Sequence, residues 1–313
     1  MPNAKQIALD FENIVKAMDQ PLADTAFISN YYLSKFSSKT SKVILSGDGG
    51  DELFGGYETY KADYFKILTN YFPNFFINFI NNNFISKFNS SYKKKISLSY
   101  KLKKFFYNND LSDEHAHVLW RSIFNTSEIY TFSIDQIQKY NSNFLEEISQ
   151  EYELVKNANQ IDKNIFLDLK TWFPNNILIK LDRSSMFHSQ ETRLPFLDPE
   201  IINFSFSLKS QLKINMLNKK IILKKSLEKK MGKKFVNRKK AGFNTPIGQW
   251  IAEDKNFNEL TNSLLETNFI KSLVKKEFID DLLKKHISGL EDNSFKIFNL
   301  IVLSQWIENK NIN

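Results

Sequence analysis

The stretch of sequence that decides the fold is Lys42-Val43-Ile44-Leu45-Ser46-Gly47-Asp48-Gly49-Gly50-Asp51-Glu52-Leu53-Phe54-Gly55-Gly56-Tyr57. Its first four residues form a short β-branched run that stops directly before a glycine-rich segment, which predicts a buried strand feeding a loop. Five of the nine glycines of the chain lie within residues 46–57. Glycine lets a backbone turn tightly and bring its N–H groups close to a ligand, as a loop that holds phosphates or a nucleotide must.

Three carboxylates, Asp48, Asp51 and Glu52, stand among these glycines. They would repel a bare polyphosphate, so their presence indicates that Mg²⁺ lies between them and the phosphate oxygens. The structural alternative is a strand-to-helix turn whose acidic residues favour the N-terminus of the new helix. The pattern matches neither the phosphate-loop nor the dinucleotide-binding fingerprint.

A second segment, residues 172–198, carries charges of alternating sign among apolar residues. The charged residues are Lys180, Asp182, Arg183, Glu191, Arg193 and Asp198. Such alternation predicts buried, mutually neutralising pairs rather than a solvated face. These pairs could either fix the fold or serve the reaction, because buried ion networks do both.

The third segment is the basic run from Lys219 to Lys240, with eleven basic residues and the single acid Glu228. A lysine aimed at a phosphate neutralises charge that develops on a transferring group, and Lys220 is a candidate that the sequence alone does not separate from its neighbours. Phe235 is the one aromatic residue within this run. The run therefore favours a small-molecule phosphate site over nucleic acid.

The composition of the chain excludes several kinds of catalytic and metal site. The chain has 313 residues, 42% hydrophobic, with a net charge of +8 and no cysteine, so thiolate catalysis, disulfides and cysteine-based zinc sites are excluded. The longest apolar stretch, residues 71–88, is interrupted by asparagines and a lysine, and it lacks the roughly 18 uninterrupted apolar residues of a spanning helix. The N-terminus has no apolar signal region. We therefore expect a cytoplasmic protein that is not anchored in a membrane.

Helical patterns dominate the rest of the chain. Apolar spacing predicts two helices within residues 4–37 around a turn at Pro21. Residues 57–106 are interpreted as helices and a variable surface excursion, and residues 113–170 as helix with breaks at 125–127 and 141–143. The prediction is one α/β domain with a dominant helical part, divided into a nucleotide-binding end (1–60), a helical variable region (61–170) and a helical C-terminal part (171–313).

Taken together, these segments resemble the synthetase domain of glutamine-dependent asparagine synthetases. Residues 46–57, the Lys180–Arg183 and Glu191–Asp198 block, and residues 239–250 occur in that family in the same order and at similar spacing. The resemblance covers nearly the whole chain, weakly between Asp63 and Phe166. It implies an adenine nucleotide α-hydrolase-like (ATP pyrophosphatase) parallel sheet, here incomplete. It also implies that ATP and Mg²⁺ adenylate the side-chain carboxylate of aspartate, after which ammonia displaces AMP to give asparagine.

The resemblance also assigns roles to individual residues. Ser46, Gly47, Gly49 and Gly50 would lie against the ATP and its pyrophosphate, and Asp51, with Glu52, would hold Mg²⁺. Asp48 would position ammonia or accept its proton, and Lys220 would stabilise the α-phosphate and the departing pyrophosphate. The structural or substrate-side residues would be Asp182, Arg183, Glu191, Arg193 and Asp198.

The chain departs from the family pattern in three respects. It has no Ser-Gly-Gly-x-Asp-Ser pyrophosphate loop, it has no glutaminase domain with an N-terminal cysteine, and it has Asn175 and Asn176 where the family commonly has an acidic pair. We therefore expect a C-terminal portion of the enzyme, lacking the first strands of the sheet and impaired as an isolated chain, whose partner would be a separately encoded N-terminal fragment. The alternatives are a relative that acts on another carboxylate, as in β-lactam, lasso-peptide or surface-polysaccharide chemistry, and a non-catalytic subunit of a split synthetase.

Overall fold

The chain folds as a mostly helical α/β protein with one small parallel sheet. The computed structural model describes residues 2–85, 88, 91–92, 98–133, 135–238 and 245–310. Among the helices of these segments, none combines the length and apolarity needed to cross a bilayer.

The N-terminal part consists of α1 (Ala4–Met18), α2 (Ala26–Ser37) and β1 (Val43–Leu45). The side chain of Asn3 accepts a hydrogen bond from the backbone N–H of Gln6, which caps the start of α1. The apolar residues of α1 recur at helical spacing and are buried: Ile7, Phe11, Ile14, Val15 and Met18. The prediction of two helices around Pro21 is confirmed.

In its described residues, the middle of the chain consists mainly of helices joined by turns and short irregular segments. Its helices are α3 (Gly50–Leu53), α4 (Glu58–Thr69), α5 (Asn74–Asn83), α6 (Leu98–Tyr107), α7 (Asp113–Leu119), α8 (Thr126–Ile129), α9 (Asp135–Glu153) and α10 (Gln160–Lys170). The predicted break at 125–127 is confirmed, because Asn125 caps α8. The predicted break at 141–143 is wrong, because α9 runs through these three polar residues.

The C-terminal half begins with a π-helical segment (Phe173–Leu178) that continues as α11 (Ile179–Met186). Strand β2 (Glu191–Arg193) and a 3₁₀ turn (Pro195–Leu197) follow. The remaining helices are α12 (Pro199–Ser207), α13 (Ser210–Lys213), α14 (Ile221–Met231), α15 (Lys233–Val236), α16 (Ile247–Glu253), α17 (Lys255–Leu265), α18 (Asn268–Leu273), α19 (Lys276–Ile287) and α20 (Ser294–Asn309).

The sheet pairs β1 with β2 in parallel, with Val43 opposite Glu191 and Leu45 opposite Arg193. Strand β1 lies where predicted, but the prediction that it is buried is wrong. Val43 is 43% exposed and Leu45 is 72% exposed, whereas Ile44 between them is partly buried. Successive side chains of a strand point to opposite faces, and only one face of this two-stranded sheet turns towards the protein.

The hydrophobic core forms around α1, α2 and the five helices from α16 to α20. Phe11 lies at its centre, where its ring meets those of Phe257 and Phe298 edge-on at centroid distances of 6.2 and 6.3 Å. A smaller cluster packs α4 against α10 through Tyr60, Ile161, Ile165 and Ile214. The small cluster lies next to the glycine-rich loop, because α10 also contacts α3.

Candidate functional site

The glycine-rich loop leaves the carboxyl end of β1. The backbone N–H of Ser46 donates to the carbonyl of Arg193 at 2.9 Å, so the ladder extends one residue beyond the strand. Because β1 and β2 are parallel, the chain that follows each strand emerges at the same edge, and the 3₁₀ turn packs against the loop. A Cβ at Gly49, where φ is +93°, would lie 3.0 Å from Cβ of Phe196. The structure thus joins the first and second sequence segments.

Glu52 anchors the loop from inside. Its carboxylate accepts a hydrogen bond from the backbone N–H of Gly49 at 3.0 Å and another from the hydroxyl of Tyr57. Burial raises the pKa of Glu52, the negative charges of Asp51 and Asp48 raise it further, and the Tyr57 hydrogen bond opposes them. Both carboxylate oxygens of Glu52 are therefore engaged inside the protein, and its expected magnesium role stays a prediction. Its position indicates a structural role.

Asp51 and Lys220 form the ionic part of the site, with Lys220 Nζ 3.0 Å from Asp51 Oδ1. Lys220 has a left-handed backbone (φ +53°) directly before α14, which sets it apart from the other lysines of the basic run that the structure describes. The pair lies against the backbone at Gly56, where a Cβ would be 1.8 Å from Asp51 Oδ1 and 2.5 Å from Lys220 Cε. Both side chains keep partial exposure to solvent, so a ligand can reach them.

Ser46, Gly47 and Asp48 form the open rim of the loop. The Ser46 hydroxyl donates to Asp48 Oδ2, and no heavy atom lies within 4 Å of the Cβ position of Gly47. In the described part of the chain, no group of three or more histidine and carboxylate side chains is arranged so that it could hold a metal ion. A Mg²⁺ ion would therefore be bound by Asp51, water molecules and substrate oxygens, a set of ligands that Mg²⁺ accepts.

Lys180 of the second segment is buried, but its partner comes from outside that segment. Its ammonium contacts the carboxylate of Asp24, which also accepts from Asn176 Nδ2 at 3.2 Å and from the backbone N–H of Ala26 at 2.9 Å. Burial would raise the pKa of Asp24, but the charge of Lys180 and these hydrogen bonds lower it overall. Asn176 thus supports the Asp24 carboxylate.

The other charges of the second segment correct the prediction of buried pairs. Arg193 pairs with Glu191 at 2.6 Å, and both side chains are more than half exposed. Arg183 pairs with its neighbour Asp182 at 3.2 Å and with Asp19 at 3.4 Å, again at the surface. Asp198 is exposed and caps α12. Alternating charges misled the prediction because adjacent strand and helix positions can pair along the surface without being buried.

Sequence reasoning missed a buried charged cluster beneath the loop, formed by Tyr60, Asp63, His117, Arg121 and Asp168. Arg121 holds both oxygens of Asp168, at 2.6 and 2.7 Å, and Tyr60 donates to Asp168 at 2.6 Å. His117 lies between two carboxylates, 3.0 Å from Asp63 and 3.0 Å from Asp168. The signal available in the sequence was Arg121, because the chain has only four arginines. Its partner Asp168 lies far along the chain, so the sequence did not show that the two residues meet.

Neighbouring charges shift the pKa values of His117 and Asp168 in this cluster. Burial would lower the pKa of His117, but the charges of Asp63 and Asp168 outweigh it and raise the pKa to about 9. Burial would raise the pKa of Asp168, but Arg121 and His117 hold it well below its usual range. The Arg121 guanidinium also lies 5.6 Å from the ring centre of Tyr57, which anchors Glu52. The cluster therefore supports the loop from below.

A cavity of about 930 Å³ opens beside Tyr57 and Arg121. Its polar wall also includes Asp24, Thr25 and Asn176. Most of the remaining lining is aromatic or aliphatic, from Ile123, Phe124, Ile129, Phe132, Phe269, Leu273, Phe295 and Leu303. Residues 239–244, which include the last two residues of the third segment and the start of the 239–250 block, lie outside the described residues. After them, the hydroxyl of Thr245 donates to the carbonyl of Thr25 at 3.1 Å.

Comparisons with known proteins relate the chain to several longer proteins. Asparagine synthetase (glutamine-hydrolyzing) 1 of Bacillus subtilis (strain 168) is 26% identical over 301 residues, which are 95% of this chain and 45% of that protein. A putative asparagine synthetase (glutamine-hydrolyzing) of Mycobacterium tuberculosis (strain H37Rv) is 24% identical over 310 residues, 97% of this chain and 45% of that protein.

A third relative, the amidase chry2 of Gibberella zeae, is 22% identical over 215 residues, 65% of this chain and 31% of that protein. The chain thus spans about half the length of the first two relatives. No solved structure is significantly similar to it. The family model of asparagine synthase matches residues 3–308, and the chain therefore belongs to the asparagine synthase family.

Proposed function

We propose that this chain carries the synthetase site of an ATP-dependent amide ligase, which adenylates a carboxylate and then passes it to ammonia. The observation that carries this proposal is the Asp51–Lys220 pair, set against Gly56 in a glycine-rich loop at the carboxyl end of a parallel strand. Ligands of open α/β sheets bind at that edge. Family membership supports the same chemistry.

ATP would lie across the open rim formed by Ser46 and Gly47, with Gly49 and Gly50 shaping the loop beneath it. Asp51 would hold a Mg²⁺ ion together with the pyrophosphate oxygens, and such an ion would neutralise phosphate charge. We assign the β1–β2 pair to an incomplete adenine nucleotide α-hydrolase-like sheet, with residues 1–60 as the nucleotide-binding end of the domain.

In the first step, a carboxylate oxygen of the acceptor attacks the α-phosphorus of ATP and pyrophosphate leaves. The ammonium of Lys220 would stabilise the negative charge that develops there. In the second step, the nitrogen of ammonia attacks the acyl carbon and AMP leaves. Asp48, oriented by the Ser46 hydroxyl, is the candidate to accept the released proton.

The test is carboxylate-dependent exchange of labelled pyrophosphate into ATP, measured with Mg²⁺ and aspartate, followed by assay of AMP and asparagine after ammonia is added. We expect Lys220→Ala to abolish exchange, and the matched Lys225→Ala, an exposed lysine of α14, to retain it. Asp48→Asn should spare exchange but slow amide formation. Exchange that survives Lys220→Ala would overturn the proposed role of this site.

Aspartate and ammonia are the proposed substrates, with ammonia derived from glutamine by a glutaminase segment such as the names of the relatives indicate. Exchange that occurs only after the N-terminal half of a relative is added would instead identify this chain as one subunit of a split synthetase. Exchange by the isolated chain would show that it is active alone, whereas exchange only with the added N-terminal half would show that the isolated chain is impaired.

A second candidate acceptor is favoured by the cavity beside Tyr57 and Arg121. Its lining is largely aromatic and aliphatic, which suits a carboxylate on a larger, partly apolar body better than it suits free aspartate. The same exchange assay, run with aspartate and with N-acylated aromatic amino acids, distinguishes the two acceptors. We expect the larger carboxylates to support exchange only if this candidate is right.

A further inference from the structure

Lys104 of α6 is partly buried, and its charge has no carboxylate partner among the described residues. The buried lysines of the described chain all pair with an acid: Lys66 with Asp113, Lys180 with Asp24, and Lys213 with Asp162. The ammonium of Lys104 instead donates to two neutral groups, the carbonyl of Ser122 at 2.7 Å and Oδ1 of Asn125 at 3.0 Å. An ammonium has three N–H donors, so one donor of Lys104 is left for a further acceptor.

Lys296, in the first turn of α20, places a second positive charge near Lys104. The two lysines share one acid, Glu128, which is already fully engaged. One of its carboxylate oxygens accepts from Lys296, and the other accepts from the backbone N–H of Asn125 at 2.8 Å. Burial and the charge of Lys296 lower the pKa of Lys104 to about 8, and the charge of Glu128 opposes them only in part. The two ammonium groups therefore carry more positive charge than this acid neutralises.

Both lysines line a cavity of about 280 Å³ between α6 and the start of α20. Asn125 also lines it, together with three aromatic residues, Tyr100, Tyr107 and Phe295. The cavity adjoins the larger one beside Tyr57 and Arg121, because three residues line both, namely Tyr100, Ile123 and Phe295. Its volume is several times that of a water molecule, so a small anion fits in it.

The other charged residues of this cavity are held by partners of their own. Lys103 pairs with Glu291, with 3.9 Å between Nζ and Oε1. Asp292 accepts hydrogen bonds from the backbone N–H of Ser294 at 3.1 Å and from its hydroxyl at 2.6 Å. These donors lie at the N-terminus of α20, where the helix dipole favours a negative charge. The positive charge of Lys104 is therefore the one in this cavity that lacks a compensating partner among the described residues.

We propose that this cavity binds a small oxyanion, a phosphate or carboxylate group, on the ammonium groups of Lys104 and Lys296. The oxygens of the anion accept the N–H donors that these lysines have left, as charge-assisted hydrogen bonds. Its negative charge supplies the counter-ion that the partly buried Lys104 lacks. Asp51 and Lys220 do not line this cavity, so anion binding here is independent of the ligase site.

The test is acetylation of the full chain by a trace of an N-hydroxysuccinimide ester, followed by mass spectrometry of individual lysines. Inorganic phosphate and acetate are titrated separately, with sodium chloride at equal ionic strength as the reference. An anion at about ten times its Kd should slow acetylation of Lys104 about tenfold, because it covers the amine and retains its proton. Lys101, an exposed lysine of the same helix, should react at the same rate in every salt. Protection by phosphate alone, by acetate alone or by both identifies which group the cavity accepts.

The variant Lys296→Met, whose folding circular dichroism checks, should lose most of the protection of Lys104, because it removes the second ammonium. The matched control is Lys271→Met, which removes a lysine paired with Glu266 at 2.9 Å outside the cavity, and it should keep the protection. Absence of protection by either anion in the wild-type chain, equal protection of Lys101 and Lys104, or unchanged protection in Lys296→Met would overturn the proposal. The wild-type measurement decides the question even if Lys296→Met does not fold.

Discussion

Gly56 leaves no room for a side chain at the candidate site. A Cβ at this position would overlap the Asp51 carboxylate and the Lys220 side chain, so Gly56→Ala must push the ion pair apart. We expect this substitution to lower the free energy of unfolding by about 1–3 kcal/mol. Urea denaturation measures the loss, and pyrophosphate exchange should fall with it.

Gly47 is the matched control for that substitution. Its Cβ position faces open space, so Gly47→Ala should change the free energy of unfolding by no more than about 0.5 kcal/mol. If both alanine variants are equally stable, the close packing of Asp51 and Lys220 on Gly56 is refuted.

His117 makes stability depend on pH. Its pKa is about 9 in the folded protein against 6.5 for a free imidazole, so the folded state holds the proton more tightly. The stabilisation is therefore complete below pH 6.5 and is lost as the pH rises through about 9. A shift of this size corresponds to a loss on the order of 3 kcal/mol. Urea denaturation at a series of pH values measures it.

The variant His117→Gln isolates this contribution, because it has no imidazole to titrate. Lys104, whose pKa burial lowers to about 8, gives a slope of opposite sign in both proteins, so the difference between them removes it. His115→Gln, a histidine outside the charged cluster, should retain the wild-type slope. A wild-type slope in His117→Gln would contradict the assignment.

Among the helices, α17 depends on its N-cap. The side chain of Asp254 accepts a hydrogen bond from the backbone N–H of Phe257 at 3.0 Å, and Phe257 is fully buried. Asp254→Ala should therefore lower the free energy of unfolding by about 1 kcal/mol, as measured by thermal or urea denaturation. Glu259→Ala, which removes an exposed carboxylate from the same helix, should cost no more than about 0.5 kcal/mol.

Elements with a strong local signal were predictable. Helices α1 and α2 follow from apolar spacing and Pro21, and β1 follows from its β-branched run. Strand β2 was not predicted as a strand, because Glu191, Thr192 and Arg193 have no apolar alternation and are held by pairing with a distant strand. The exposure of Val43 and Leu45 was missed for a related reason, since burial depends on what packs against a strand.

In the candidate site, too, the parts with a local sequence signal were predictable and the parts set by distant packing were not. The loop was recognisable because its glycines are crowded into twelve residues, and such crowding reflects a local backbone requirement. The cluster around Arg121 joins three helices, α4, α7 and α10, with Arg121 itself two residues beyond the end of α7, and its charges come from three separate stretches of the sequence. Only the packing of those helices shows that Asp63, His117 and Asp168 meet.

At the scale of the whole molecule, stability depends on how the two ends of the chain are joined. Helix α1 packs against α17 and α20, and the segments of the chain between α1 and α17 carry the candidate site. The N-terminal helix therefore completes a core whose other members come mostly from the last quarter of the sequence. We therefore expect substitutions at this junction to lower the stability of the whole protein.

Phe11 tests that junction, because its ring contacts Phe257 of α17 and Phe298 of α20 and is fully buried. Phe11→Ala should lower the free energy of unfolding by about 3–5 kcal/mol, since it loses apolar burial and leaves a cavity. Leu9→Ala, on the same helix but 70% exposed, should cost no more than about 0.5 kcal/mol. Urea denaturation of the two variants measures both values, and similar losses would show that α1 does not join the two ends of the chain.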